Sequence, residues 1–216
     1  MRLEDVILFI KPNYRILNGI SFTVYNGDKI FVEVLQKNVR DWLFNIICGM
    51  HAPDSGKVYL GQADVYALAD RAKTFLRLTK VGIIWDELVL FDDMSVLENL
   101  RIVQTLTGAK NTQAVYEAAQ MAGITNIINT KPQDITPYQR CLVKIARACV
   151  SNPQVYIVNG FGEDISADEY VTLINMVTTL KENNTVVVMD AQHHEQINTN
   201  RRFALIDNKI YEVQSI

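Results

Sequence analysis

The sequence lacks the features that would assign it to the membrane-spanning or nucleic-acid-binding classes. It contains no run of about 20 apolar residues, the length that a membrane span requires, although 49% of its 216 residues are hydrophobic. Basic residues are not in excess, because 21 Lys and Arg stand against 24 Asp and Glu, for a formal net charge of −3. A general electrostatic attraction to nucleic acid or to an anionic membrane is therefore not expected. Glu4 and Asp5 interrupt the first apolar run, so no signal peptide is expected either.

Cysteine is also scarce. The chain has three, Cys48, Cys141 and Cys149, and their positions do not form the paired spacing of a metal site. Cys141 and Cys149 lie eight residues apart in an apolar helical pattern. We therefore expect buried thiols, as in a protein kept in a reducing cytosol.

Glycine is missing from the loop inside the stretch around which the chain is organised, residues 31–61. A strand ends at Phe31 and Val32, a polar loop follows, and an amphipathic helix is predicted from about Trp42 to Met50. A turn and a strand over residues 57–60 complete the frame of a phosphate-binding loop. Such loops read G-x-x-x-x-G-K-[ST], because glycine reaches positive φ and lets backbone N–H groups face the anion.

Other residues fill the slots of that motif. They are, in order, Val34, Leu35, Gln36, Lys37, Asn38, Val39, Arg40 and Asp41. One hypothesis is that Asp41 is the N-cap of the helix and replaces the phosphate as an internal anion, covered by Arg40 or Lys37. The competing hypothesis is that Arg40 takes the place of the lysine and holds phosphate. Valine at both glycine slots makes the glycine-type conformation costly and favours the first hypothesis.

The flanking sequence resembles the nucleotide-binding subunit of an ABC transporter. The resemblance rests on ILNGISFTVYNGDKI, LFNIICGMHAPDSGKVYLGQADVYAL and VGIIWDELVLFDDMSVLENL, and it continues through LVKIARACVSNPQVYIV and TVVVMD. It indicates the branch that serves cell-division, lipoprotein-release and macrolide-export permeases. It implies an α/β, P-loop NTPase-like cassette over residues 1–216. A RecA-like core with an antiparallel β lobe would comprise residues 1–86 and 152–216, and a helical lobe would comprise residues 87–151.

Within that frame, residues 1–33 are predicted to form antiparallel strands, with a hairpin turn at Asn26-Gly27-Asp28. Helices are predicted near residues 96–106, 112–122 and 138–151. In the family an aromatic residue near the end of the first strand stacks on adenine. Phe9 and Tyr14 are the candidates for that role, but Ile10 stands at the aligned slot. Because an aromatic residue in a strand more often belongs to the core, Phe9 and Tyr14 are expected in the core.

The resemblance also implies where catalytic residues would lie, and this chain departs from the family at each place. Asp86 replaces a glutamine that contacts magnesium and relays the nucleotide state to the permease. After the strand VYIV the family has a magnesium-binding aspartate and a glutamate that polarises the attacking water. This chain has Asn159 and Gly160 there. The nearby Glu163 and Asp164 are not expected to recover the geometry.

The signature motif of the family, LSGGQ, presents a hydroxyl and glycine N–H groups to the nucleotide of the opposite subunit. It aligns with Ile135, Thr136, Pro137, Tyr138 and Gln139. Thr136 and Gln139 keep a compatible type. Pro137 has no N–H to offer, and Tyr138 is expected to place a ring where the backbone should approach.

A histidine that reads the γ-phosphate follows the last core strand in the family. Ala191 stands at its slot, although a register shift could bring His193 or His194 there. A metal site formed by these histidines and Glu195 has no matching ligands elsewhere, so no metal is predicted.

These departures predict a degenerate ABC-transporter nucleotide-binding subunit. It would be a pseudo-ATPase with no catalytic residue and no predicted cofactor, held as a scaffold or regulatory partner by a membrane permease or another cassette. That places it in the cytoplasm, on the inner face of the plasma membrane, with docking near residues 86–101. The alternative is a subunit that still binds ATP and Mg²⁺ and drives transport, as a homodimer or in a heterodimer. A soluble regulatory module detached from transport also stays open, whereas a nucleic-acid partner is not expected.

Overall fold

The structure is a computed structural model that describes residues 1–180, 183–192 and 195–213. The strands are β1 (Arg2–Lys11), β2 (Tyr14–Thr23), β3 (Lys29–Glu33), β4 (Ser55–Leu60), β5 (Ala63–Asp64), β6 (Val81–Trp85), β7 (Val155–Asn159), β8 (Thr185–Asp190), β9 (Arg201–Ile206) and β10 (Lys209–Val213). The helices are α1 (Lys37–Ile47), α2 (Asp70–Lys80), α3 (Val96–Thr107), α4 (Thr112–Met121), α5 (Pro137–Cys149) and α6 (Ala167–Thr179).

The main sheet has six strands in the order β10-β9-β3-β8-β7-β6. The strands from β9 to β6 are parallel, and β10 pairs antiparallel with β9 at the edge. The continuous apolar runs of β7 and β8 suit strands that are buried on both faces. Register pairs Glu33 with Asp190 and Asn159 with Met189, so the carboxyl ends of β3, β8 and β7 lie side by side. Ligand sites of parallel sheets form at that edge.

A second, antiparallel sheet has the order β2-β1-β4-β5. The prediction of antiparallel strands over residues 1–33 was correct for β1 and β2 and wrong for β3, which joins the main sheet. The turn at Asn26-Gly27-Asp28 therefore links the two sheets instead of closing a hairpin. The hairpin turn lies between β1 and β2, where Asn13 has a φ of +72°. The dipeptide signal located a turn, but it could not say which sheet the next strand joins.

Two apolar clusters cover the two faces of the main sheet. Because side chains alternate along a strand, Phe31 and Val188 face a cluster completed by α3, α4, α5 and α6. Ile30 and Val187 face the opposite cluster, which contains α1 and the antiparallel sheet. The main sheet is thus the middle layer of the molecule.

The three helices predicted between residues 96 and 151 are present as α3, α4 and α5, each displaced by at most two residues at either end. Ser95 and Thr136 begin α3 and α5 with reciprocal capping boxes. Gly108 ends α3 in the left-handed conformation, with a φ of +73°.

The three cysteines are buried, as expected. Within the described ranges, no helix combines the length and apolarity needed to cross a membrane.

Candidate functional site

Helix α1 begins at Lys37, one turn earlier than the predicted start at Trp42. Gln36 is its N-cap residue and makes no side-chain capping bond, so the prediction that Asp41 caps the helix was wrong. The Arg40 N–H donates to the Gln36 carbonyl at 3.0 Å, within the helix. The Arg40 N–H, at the lysine slot of the phosphate-loop motif, is therefore used within the helix.

Valine at the two glycine slots explains this early start. Val34 and Val39 are both buried in the apolar cluster that contains α1. Their side chains gain burial, and their branched Cβ atoms disfavour the positive φ that glycine adopts. Packing and backbone preference thus both favour continuing the helix backwards through the loop.

Asp41 is nevertheless held as an internal anion, inside the helix. One of its carboxylate oxygens accepts a hydrogen bond from Asn159 Nδ2 at 2.8 Å, and the other accepts one from Lys37 Nζ at 3.0 Å. The bond to Asp41 raises the pKa of Lys37. Asn159, at the end of β7, has no exposed surface. The covering cation is Lys37 rather than Arg40.

Arg40 instead forms an ion pair across the end of the sheet. Its Nη1 lies 3.0 Å from Asp190 Oδ1, at the end of β8. Asp190 also accepts hydrogen bonds from the Ala191 N–H and from the Tyr170 hydroxyl of α6. Burial, reinforced by the Asp190 charge, raises the pKa of Tyr170. Arg40 is only 8% exposed, and Asp190 is the partner of its guanidinium.

Gly160 lies directly against that guanidinium. A Cβ added at Gly160 would stand 2.4 Å from Arg40 Nη2, and the glycine has a φ of +43°. Arg40 therefore fills the space that any side chain at position 160 would enter. The fit has a cost, because Arg40 Nε and Asn159 Oδ1 are buried without a hydrogen-bond partner in the part of the chain that the structure describes.

Asp86, at the end of β6, ties together three parts of the molecule. Its Oδ1 accepts from Lys144 Nζ of α5 at 2.8 Å, and its Oδ2 accepts from the Glu163 N–H at 2.9 Å. Both carboxylate oxygens are thus engaged by groups of the chain. The Glu163 and Asp164 side chains are exposed. A cavity of about 270 Å³ lies here, and its walls include these three acidic residues and Arg140.

The residues at the signature slots form the start of α5. The Thr136 hydroxyl accepts from the Gln139 N–H at 3.2 Å, and Gln139 Oε1 accepts from the Thr136 N–H at 3.0 Å. Pro137 is the first helical residue. Tyr138 is half-buried and packs against the apolar cluster of α3 to α6. The expectation that its ring lies where backbone should approach stays a prediction, because the residue is still partly exposed.

Other predicted site residues lie away from this cluster or outside the described chain. Phe9, Ile10 and Tyr14 are exposed near the β1–β2 turn, so placing Phe9 and Tyr14 in the core was wrong. Arg15 stacks on the Phe9 ring at 5.1 Å. His193 and His194 lie outside the described residues, and the structure says nothing of the histidine register shift or the metal site.

An apolar groove of about 420 Å³ lies beside the site. Leu88, Val89 and Phe91 line one wall, and Leu106 of α3 and Ala148 of α5 contribute to the other. The predicted docking region, residues 86–101, thus supplies part of a concave apolar surface. Such a surface suits apolar side chains of a partner.

Sequence reasoning missed Asp190, Tyr170 and Lys144. Asp190 closes the run TVVVMD, and a charged residue at the carboxyl end of a buried parallel strand is a readable signal. Tyr170 and Lys144 lie on amphipathic helices. The sequence does not distinguish a polar helical side chain that points inward from one that points to solvent. Their partners lie 20 and 58 residues away.

Comparison with known proteins places these observations in a family. The family model described as ABC transporter matches residues 42–159. The lipoprotein-releasing system ATP-binding protein LolD of Rhodopseudomonas palustris (strain BisB5) is 24% identical over 204 residues, covering 92% of this chain and 88% of the relative. The cell division ATP-binding protein FtsE of Bacillus subtilis (strain 168) is 22% identical over 205 residues, covering 94% of this chain and 90% of the relative.

Solved structures with the same fold extend over the whole chain. The dimeric ATP-binding cassette MJ0796, in a post-hydrolysis state bound to ADP and Pi, superposes with a TM-score of 0.83 at 18% identity, covering 100% of this chain and 99% of that one. CbiO1 from Clostridium perfringens, part of the ABC transporter complex cbiONQ, gives a TM-score of 0.81 at 17% identity, covering 97% and 86%. At these identities the likeness concerns the fold.

Proposed function

Because this chain belongs to the ABC transporter family and has its α/β cassette fold, we propose that it is a cassette subunit that docks on a permease without hydrolysing ATP. The family and the fold are the ones the sequence predicts. The absence of hydrolysis is the proposal, and a single observation carries it. Arg40 occupies the space beside Gly160 and is paired there with Asp190.

The charges around that pair support the same proposal. A Mg²⁺-nucleotide needs open N–H groups and a free carboxylate for the metal. The Val34 N–H is bonded to the Asp190 carbonyl and the Arg40 N–H to the Gln36 carbonyl, Asp41 is bonded to Asn159 and Lys37, and the Asp190 carboxylate is bonded to Arg40. Gly160 offers no base to an attacking water. Each lost electrostatic contribution is worth about 3 kcal/mol of transition-state stabilisation, so their combined loss would abolish measurable turnover.

The apolar groove supports the docking part of the proposal. Val89 and Phe91 are exposed beside it, although they are apolar. We take this concave apolar surface as the interaction site. The proposed partner is a permease on the inner face of the plasma membrane, and the chain would be held there through that contact. A second cassette, identical or different, is a further proposed partner, since MJ0796 is described as dimeric.

The test is calorimetric titration of the purified chain with Mg²⁺-ATP to millimolar concentration, together with a phosphate-release assay. We expect neither saturable heat nor phosphate release. The Bacillus FtsE protein, named an ATP-binding protein, is the control for binding, and MJ0796, solved in a post-hydrolysis state with ADP and Pi, is the control for phosphate release. Stoichiometric binding would contradict our interpretation of residues 34–41. Phosphate release would show that a base other than residue 160 acts in this chain.

A second candidate function is a subunit that binds ATP and drives transport, alone or in a heterodimer. The comparisons favour this candidate over the first, because LolD and FtsE are both named ATP-binding proteins and align over nearly the whole chain. The contacts of Arg40 favour the first. A soluble regulatory module would differ from both by failing to co-purify with a membrane permease.

A further inference from the structure

Asparagine followed by glycine occurs three times in the chain, as Asn18-Gly19, Asn26-Gly27 and Asn159-Gly160. This dipeptide is chemically labile in water, because glycine has no Cβ to keep its backbone nitrogen away from the asparagine side chain. When that nitrogen attacks the side-chain amide, a ring closes, so both groups must be free to rotate. The surroundings of each dipeptide therefore decide whether it reacts.

Asn159-Gly160 is held on several sides. Asn159 has no exposed surface, and its Nδ2 donates to Asp41 at 2.8 Å. The Gly160 N–H donates to the Met189 carbonyl at 3.3 Å, and a Cβ on Gly160 would stand 2.4 Å from Arg40. Ring closure would have to break these contacts. The reaction would create the aspartate that the family has at this slot, and the fold prevents it.

Asn18-Gly19 lies within strand β2. Asn18 Oδ1 accepts from Arg15 at 2.6 Å, and the Asn18 N–H donates to the Asn208 carbonyl at 2.8 Å. A Cβ added at Gly19 would stand 3.0 Å from Asp5 Oδ1, so the space beside this glycine is occupied. Pairing with β1 on both sides of the dipeptide restrains its backbone.

Asn26-Gly27 has different surroundings. It lies in the turn between β2 and β3, where Asn26 is exposed and its side chain bonds to none of the residues that the structure describes. A Cβ added at Gly27 would meet nothing within 4 Å. The attacking nitrogen is restrained by a hydrogen bond from the Gly27 N–H to Thr185 Oγ1 at 3.1 Å. A bond between two neutral groups is a modest restraint.

We propose that Asn26 is a site of spontaneous modification, converted in the folded chain to aspartate and isoaspartate, while Asn18 and Asn159 persist. The Gly27 nitrogen gives its proton to water or a buffer base and bonds to Asn26 Cγ. The Cγ–Nδ2 bond breaks, ammonia leaves with a proton taken from solvent, and a cyclic succinimide remains. Water then opens the ring: cleavage at Cγ gives aspartate, and cleavage at the main-chain carbonyl carbon gives isoaspartate. The net reaction consumes one water and releases one ammonia.

Either product would alter the link between the two sheets. The turn is closed by a hydrogen bond from the Asp28 N–H to the Tyr25 carbonyl at 3.2 Å. Arg201 already pairs with Asp28 and with Glu212, so a new carboxylate at position 26 adds like charge close to Asp28. Isoaspartate also lengthens the backbone of the turn by one methylene group. Modification should therefore weaken the connection between β2 and β3.

The test is peptide mapping by mass spectrometry on the full chain, incubated at physiological temperature and mildly alkaline pH and sampled over days. Replacement of NH₂ by OH at each asparagine gives its rate, and an isoaspartate methyltransferase detects the isomer. We expect Asn26 to react within about tenfold of the rate of an unstructured peptide with the same turn sequence. Asn18 and Asn159 should react at least about 100-fold more slowly than that peptide, since the fold must first open around them.

Three controls accompany the measurement. In the urea-unfolded chain the three asparagines should react at similar rates, which shows that the differences come from structure. Thr185→Val removes the acceptor of the Gly27 N–H and should accelerate Asn26 about fivefold, with Asn159 in the same sample unchanged. Asn26→Gln keeps an amide that closes the larger ring only slowly. Incubation should lower the urea midpoint of the parent chain and leave that of this variant unchanged.

Asn26 that reacts no faster than Asn159 in the folded chain, or that stays intact after the peptide has been converted, would overturn the proposal. A Thr185→Val variant with the parent rate, or with equal acceleration at Asn26 and Asn159, would overturn the restraining role of the Thr185 hydroxyl. An equal fall of the urea midpoint in the parent chain and in Asn26→Gln would overturn the effect on the link between the sheets.

Discussion

At the scale of single residues, Asn159 donates a hydrogen bond to Asp41. Replacing Asn159 with aspartate, the residue that the family has at this slot, would break it. Asn159→Asp would set a second carboxylate where Nδ2 now lies 2.8 Å from Asp41. It removes a hydrogen bond to a charged group, worth about 1.5–3 kcal/mol, and adds repulsion between like charges. We expect the free energy of unfolding, measured with urea, to fall by about 2–4 kcal/mol.

The control for this prediction exchanges the two residues. Asp41→Asn combined with Asn159→Asp restores one amide and one carboxylate, so most of the lost stability should return. A single Asn159→Asp variant as stable as the parent chain would show that the pair does not determine the residue at position 159.

Gly160 offers a second test at this scale. Gly160→Ala places a Cβ 2.4 Å from Arg40 Nη2 in a backbone with a φ of +43°. The conformation alone costs about 1–2 kcal/mol, and displacing a buried, paired guanidinium should add about 1–3 kcal/mol. The measurement is again unfolding in urea.

Gly108→Ala separates the two costs. Gly108 also has a positive φ, +73°, and a Cβ there would meet nothing within 4 Å. The difference between the two alanine variants therefore isolates the contact with Arg40. Equal destabilisation of both would mean that Arg40 does not fill the space.

At the scale of elements, the early start of α1 has a measurable signature. Gln36 has an extended backbone, suited to an N-cap residue, but its side chain makes no capping bond. Gln36→Asp supplies an acceptor at the positive end of the helix and should raise the free energy of unfolding by about 1 kcal/mol. Thermal and urea unfolding both report it.

Asp41→Ser is the companion variant for α1. Serine would be a favourable cap if the helix began at Trp42, the predicted start. Because Asp41 lies inside α1 and bonds to Asn159 and Lys37, the substitution should destabilise the chain instead. Stabilisation by Asp41→Ser would place the helix start after residue 41.

The elements show where sequence reasoning succeeds and where it stops. The strands Val81–Trp85 and Val155–Asn159 and the helix α3 follow from apolar runs and capping signals that are local in sequence. The predicted start of α1 was wrong because residues 34–41 were aligned with a phosphate-binding loop. Their own backbone preferences and packing extend the helix to Lys37 instead. The pairing of Arg40 with Asp190 joins positions 150 residues apart, and no local pattern reports such a contact.

At the scale of the whole molecule, the main sheet carries an apolar cluster on each face. Sharing one sheet should make both layers unfold together. If residues 87–151 instead form a separate helical lobe, as predicted from the resemblance, that lobe could unfold while the core stays folded. Trp42 and Trp85 pack on the cluster of α1, whereas α3 to α6 lie on the other face.

Tryptophan fluorescence therefore reports the layer of α1, whereas far-UV circular dichroism sums the helices of both layers. We expect tryptophan fluorescence and far-UV circular dichroism to give the same urea midpoint within error. An early loss of helical signal, with fluorescence unchanged, would show that helices on the face opposite the tryptophans unfold independently.

The contact between Arg40 and Gly160 also sets the order in which this chain could change over generations. Any side chain gained at position 160 first would collide with the guanidinium. Losing Arg40 first would remove the ion-pair partner of the partly buried Asp190 carboxylate and leave it only the hydrogen bonds from Ala191 and Tyr170. A chain with only one of the two changes would be less stable than either the present chain or one with both. Selection for folding would therefore oppose each single change. The pair therefore resists any change that is made at only one of the two positions.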